Sequence, residues 1–355
     1  MTGCLAFDIG GANIKVASSD GFAHSRPFPL WQSPERLSQQ LAELLAGHPS
    51  TARIGVTMTG ELADCYESKQ EGVRRIVESS RQVLGDDARY YQVTGQFVDA
   101  AQASEHWLET AASNWHALTH WVARQRTAGF LVDIGSTTVD LIPFQAGKPC
   151  SRGLTDLTRI EQGELVYTGV GRSPVSCLLH SVTVPGKGEL PLAQEVFATM
   201  QDVYLLAGYL PPNPDNRQTA DGRPLTLPAA RQRMSRLLCA DSSELLTGEI
   251  EAITTAAASS QRARLIEKLK SLIEHHPELP LQFVVSGQGE WLAREIVETA
   301  APTASSLCSV AELVDRSLPL QRASKPADAS SEPTELSRCA PAYAVACLLE
   351  QWHEA

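Results

Sequence analysis

A chain of 355 residues, 43% hydrophobic and 20% charged, is long for one core and balanced for globular packing, so it calls for two domains. A formal charge of −11 without any basic run argues against a nucleic-acid surface, and no apolar run is long enough to span a membrane. The N-terminus has no leader pattern, and the eight cysteines have neither Cys-x-x-Cys nor zinc spacing, so reduced thiols in a cytoplasmic protein are expected.

Cys4 to Phe7 predict a strand that ends at Asp8 in a Gly10-Gly11 turn, and alternation from Asn13 to Ala17 predicts the return strand of a hairpin. Ser33 as N-cap and Pro34 at the first helical position predict a helix with Leu37, Leu41, Leu44 and Leu45 on one face. Residues 52–64 predict a strand that breaks at Thr59-Gly60-Glu61, 67–85 an amphipathic helix closed by Gly85, 90–95 a short strand, and 99–125 helix in pieces. In that last stretch His116 and His120 are spaced as metal ligands can be, but no third ligand accompanies them, so they read as packing residues. Strand, Gly turn and strand recur over 128–150, 210–226 is a loop by composition, and 235–276 holds two or three helices. Residues 281–300 predict a buried strand, a Gly turn and a helix, 317–335 a polar surface loop, and 336–352 an apolar helix packed across the domains. The expected α/β units are 1–127, 128–335 and the terminal helix within 336–355.

The chemistry lies in two phrases, "LAFDIGGANIKVA" and "GFLVDIGSTTVDLIPF", whose aspartates stand 125 positions apart (133 − 8). A Gly turn between strands presents backbone N–H groups to a phosphate. That makes Gly10, Gly11 and Asn13, and Gly135, Ser136, Thr137 and Thr138, candidate phosphate binders, with Lys15 as a nearby positive charge. Asp8 and Asp133 would repel phosphate but can hold Mg²⁺, directly or through water. The simpler reading of either aspartate is a turn cap; the repetition favours a site. Gly287-Gln288-Gly289, between a strand and a helix, would let a ring or sugar approach the backbone.

With "VTMTGELADCY", "ELVYTGVGRSPV" and "VVSGQGEWL", these phrases resemble the superfamily of acetate and sugar kinases, heat-shock chaperones and actin. That superfamily has two ribonuclease-H-like domains around a cleft. Within it the chain is similar to the hydantoinase A/oxoprolinase branch, and more narrowly to the small proteins linked to tetrahydromethanopterin one-carbon metabolism that include methanofuran synthase. It lacks the His-Gly-Thr-Thr stretch of full-size oxoprolinases. The resemblance implies a transferase that joins a furan-methyl diphosphate to a tyrosine- or tyramine-derived phenol, with Mg²⁺ at the two turns. The implied partners are small molecules, with no nucleic acid and no membrane; homo-oligomers and ATP binding stay open. The phenol needs a base: Glu61 at the broken strand end comes first, then Asp64 and Asp140, although Asp140 also reads as a solvent-facing strand residue. Arg74, Arg75 or Arg172 would meet a carboxylate of the acceptor. The competing functions are an ATP-dependent kinase or hydrolase and, last, a non-enzymatic sensor or assembly protein.

Overall fold

The protein, described as a computed structural model over residues 3–48, 53–317 and 334–352, contains two mixed sheets of matching design. The first comprises β1 (Leu5–Gly10), β2 (Asn13–Ser18), β3 (Ala23–Pro27), β4 (Ile54–Thr59), β5 (Arg89–Tyr91) and β6 (Phe97–Val98), in the order β3-β2-β1-β4-β5-β6. The second comprises β7 (Ala128–Ile134), β8 (Val139–Gln145), β9 (Lys148–Pro149) and β10 (Leu165–Val166). After a separate ribbon, β11 (Ser181–Val184) and β12 (Gly188–Pro191), it is completed by β13 (Gln282–Ser286) and β14 (Ser306–Ser309). Its order is β10-β8-β7-β13-β14, with β9 paired to β8. Each sheet therefore has an antiparallel hairpin at its centre and a parallel strand on the hairpin's other side. This is the ribonuclease-H-like arrangement, built twice.

Both central strands are apolar along their length because both faces are covered. Side chains alternate between the faces. Leu5, Phe7 and Ile9 enter the core of the first lobe, and Phe130, Val132 and Ile134 that of the second. Cys4, Ala6 and Leu131 point instead into a third core that draws on both lobes. Asp8 and Asp133 belong by parity to this inner face, so strand geometry alone directs both carboxylates toward the layer between the lobes. The helix Ala340–Gln351 fills that layer, packing on β1, β2, β4 and the helix Asn114–Gln125. Among the described residues no helix is long and apolar enough to cross a membrane.

Several expectations need adjustment. Ser33 precedes a 3-10 turn, Pro34–Arg36, and makes no side-chain cap bond; the α-helix itself is Leu37–Leu45. Most of 235–276 is one helix of 29 residues, Thr247–His275. The expected polar loop at 317–335 falls largely on residues outside those described.

Candidate active site

Asp8 is fully buried, and Lys15 lies opposite it in the hairpin register, with Nζ 3.0 Å from Asp8 Oδ2. Lys15 is thus first of all the counter-ion of Asp8. Burial alone would depress the ammonium's pKa, but the attraction of Asp8 outweighs it and the pKa rises. The other oxygen, Asp8 Oδ1, is buried with no partner. Asp133 Oδ1 accepts a 2.6 Å hydrogen bond from Ser286, its register neighbour on β13. Burial, reinforced by Asp140, pushes the Asp133 carboxyl up to about 6, while Lys15 pulls it down and Asp8 raises it further. Lys15 and Asp8 of one lobe thus act in opposite senses on the Asp133 carboxyl of the other.

The turns themselves are open to a ligand. Among the described residues, the N–H groups of Gly11, Ala12, Ser136 and Thr137 donate to no protein acceptor. A Cβ at Gly11 would meet nothing within 4 Å. Gly10, Asn13, Gly135, Thr137 and Thr138 are half-buried around these donors. The second turn is held by the loop that follows β10: Val170 donates to Gly135 O, and Gly171 and Arg172 both donate to Ser136 O.

The Gly287 and Gly289 amides are not available in this way. Gly289 N–H donates to Ile134 O at 2.8 Å and Gly287 N–H to Ser337 O at 3.3 Å. A Cβ at Gly287, where φ is +93°, would lie 2.3 Å from Ile134 O, and one at Gly289 2.6 Å from the Ile134 side chain. Close packing of this turn on the end of β7 accounts for both glycines, leaving half-buried Gln288 to face outward. The first lobe carries the same device, since Gly60 N–H donates to Ile9 O at 3.0 Å. Glu61 and Glu290 follow the two equivalent glycines.

Glu61 is 1% exposed, and its Oε2 has no partner. Burial drives its carboxyl up to about 7, against the pull of Lys69, whose ammonium is 4.0 Å from Oε1. Lys69 is also 2.7 Å from Asp156 of the second lobe. Asp64 is exposed and stands apart from this buried cluster. Asp140 corrects the solvent-facing reading: it is buried opposite Asp133 and bound by Arg159, which stacks at 4.1 Å on Trp115. Its charge is committed to that guanidinium, which makes it a poor proton acceptor for a substrate. Arg74 and Arg75 lie on the helix Lys69–Leu84, where Arg75 pairs with Glu71 and Glu78. His116 and His120 flank the Tyr91 hydroxyl at 2.9 and 2.8 Å. Burial lowers the two imidazoles to about 3 and about 4, leaving neutral packing groups.

Sequence reasoning missed Lys69, Asp156, Arg159 and the hydroxyl of Ser286. A signal existed for part of this. The register partner of each root aspartate lies seven positions on, Lys15 from Asp8 and Asp140 from Asp133 (15 − 8 and 140 − 133). The repeat thus marks Asp140 as the counterpart of Lys15. Lys69 and Asp156 carry no such mark.

The donor set suits Mg²⁺. It offers two hard carboxylates, one with an orphaned buried oxygen, beside open amides. No group of three or more His, Cys, Asp and Glu side chains could hold a metal among the described residues, so further ligands would be phosphate oxygens and water.

Residues 53–302 match the hydantoinase/oxoprolinase family. A protein of Methanocaldococcus jannaschii named (4-{4-[2-(gamma-L-glutamylamino)ethyl]phenoxymethyl}furan-2-yl)methanamine synthase is 30% identical over 304 residues, 83% of this chain and 88% of its own. A Methanococcus vannielii protein of the same name is 30% identical over 166 residues, 46% of this chain and 72% of its own. Among solved structures, an archaeal actin homologue in complex with ADP aligns over 99% of this chain and 100% of its own, with 14% identity and a TM-score of 0.45. Component A of Acidaminococcus fermentans (R)-2-hydroxyglutaryl-CoA dehydratase aligns over 98% and 97%, with 12% identity and a TM-score of 0.44.

Proposed function

The chain belongs to the hydantoinase/oxoprolinase family, and on that premise we propose that it is a transferase of methanofuran-type cofactor synthesis. It joins a furan-methyl diphosphate to the phenol of a tyrosine- or tyramine-derived acceptor. The proposal draws on the similarity, over most of both chains, to a synthase whose printed name describes a phenoxymethyl-furan ether. In the geometry, the observation that carries it is the buried Asp8–Lys15 pair, whose charges act on Asp133 of the other lobe, with unpartnered amides in the turn beside each aspartate.

In this reading the free N–H groups of Gly11, Ala12, Ser136 and Thr137 bind the diphosphate, and Asp8 and Asp133 hold Mg²⁺. The metal would neutralise charge that develops on the leaving group. Glu61 takes the phenol proton. The phenol oxygen then bonds to the furan methylene carbon as the carbon–oxygen bond to the diphosphate breaks, and the bonding pair departs with the diphosphate. A free phenol titrates near about 10, so a carboxylate that titrates near neutrality is a better base for it than an ordinary one. Lys69 holds a positive charge against Glu61 and so limits the rise of its pKa.

The test is incubation with a furan-methyl diphosphate, a glutamyl-tyramine-type phenol and Mg²⁺, following diphosphate release and the ether product. Release without the ether would point to a hydrolase. Tight ADP binding with no reaction would favour the kinase or hydrolase reading, which the internal use of the Gly287 and Gly289 amides does nothing to support.

A further inference from the structure

Trp31 and Arg172 join the two turns from opposite lobes. Trp31 follows Leu30, whose N–H donates to Gly11 O at 2.9 Å, so the indole is anchored beside the first turn. Arg172 N–H donates to Ser136 O at 2.7 Å, so the guanidinium springs from the second. The guanidinium carbon lies 4.6 Å from the Trp31 ring centroid.

This arginine differs from the other arginines near the cleft and the second core. Arg159 and Arg233 are buried against aspartates. Arg172 is exposed, and among the described residues only the π face of Trp31 answers its charge. A guanidinium is always charged and presents a planar fork that matches phosphate oxygens. An exposed cation–π contact is a weaker partner for it than a phosphate would be. The backbone bond from Arg172 to Ser136 O sets the guanidinium beside the turn that carries the open amides of Ser136 and Thr137.

We propose that Arg172 is a diphosphate-binding residue that exchanges its contact with Trp31 for the diphosphate of an aromatic-methyl diphosphate, leaving the indole face as a shelf for the substrate ring. This rests on the reading of the cleft as a diphosphate site and adds a residue and a motion to it. It also moves Arg172 from the acceptor's carboxylate to the donor's diphosphate.

The test is calorimetric titration of the full chain with inorganic pyrophosphate and Mg²⁺, alongside tryptophan fluorescence. Arg172→Gln should weaken pyrophosphate binding by about tenfold or more, and Arg172→Lys by less, because an ammonium lacks the fork. Thermal melts of both variants should match the wild type, since the side chain is exposed. In the wild type pyrophosphate should change the fluorescence; Trp31→Phe should still bind pyrophosphate but lose that change. Wild-type pyrophosphate affinity in Arg172→Gln would overturn the proposal, and a raised KM for the phenol alone in that variant would return Arg172 to the acceptor. A fluorescence change that persists in Trp31→Phe would overturn the exchange. If the wild type does not bind magnesium pyrophosphate at all, the diphosphate reading of the cleft falls, and this inference with it.

Discussion

At the scale of single residues, the cleft is governed by burial of acids with incomplete partners. Asp8 has Lys15 and Asp140 has Arg159, whereas the nearest cation to Glu61 is the more distant Lys69, and Asp8 and Glu61 each keep one orphaned oxygen. If Glu61 is the base, Glu61→Gln lowers kcat by about 10²–10⁴-fold while leaving pyrophosphate affinity near wild type. The wild-type kcat/KM should rise with pH through a value near 7, and that limb should vanish in the variant. The same shift acts on stability. A carboxyl raised in the folded state stabilises the fold while protonated, and that contribution is lost as pH climbs from the ordinary carboxylate range through about 7. Glu61→Gln should therefore melt higher than wild type at about pH 8, the gap closing by about pH 5; a gap that widens on acidification would contradict the buried, poorly paired carboxyl.

Among elements, the helix Lys69–Leu84 and the turn after β4 are matched to one another. A Cβ at Gly72 would lie 2.0 Å from Glu61 O, so only glycine lets this helix approach the turn that carries Glu61. In an isolated helix Gly→Ala stabilises by about 1 kcal/mol. Here Gly72→Ala should instead destabilise by about 1–3 kcal/mol through overpacking, seen as a lower denaturation midpoint, together with a loss of turnover as Glu61 shifts. Gly55 on β4 shows the same dependence, with Val345 of the terminal helix 2.7 Å from the position of its missing Cβ. These glycines resemble ordinary helix and strand residues in the sequence, because the atoms that exclude a side chain come from distant segments.

For the whole molecule, the lobes are joined by an apolar layer and by a few polar contacts over the cleft. The layer is the core shared by the inner faces of both sheets, the helix Asn114–Gln125 and the helix Ala340–Gln351. Truncation before Ala340 would expose that layer and should give a protein without cooperative unfolding by circular dichroism. Lys69–Asp156 is a polar contact at the cleft. Half-exposed ion pairs are worth no more than about 1 kcal/mol, so Lys69→Met should barely change the melting temperature. It should, however, raise the apparent pKa of the kcat/KM profile, since the positive charge that restrains Glu61 is gone; an unchanged profile would remove Lys69 from that role.

Sequence alone determined the duplicated frame: two aspartate-rooted glycine turns in alternating apolar strands, the helix closed by Gly85, and the strand that breaks ahead of Glu61. These features follow from local rules of side-chain alternation, turn chemistry and capping, which act over a few residues and are therefore written in order along the chain. Tertiary structure decided what each charge faces. Lys15 is turned to Asp8, Asp140 to Arg159, Lys69 to Asp156 and Arg172 to Trp31. It also decided that the Gly287 and Gly289 amides close on β7 and on Ser337. Those pairings depend on which lobe a segment joins and how near its neighbour stands. Burial then strengthens each charge interaction, and burial is a property of the assembled layers that no short stretch of sequence contains.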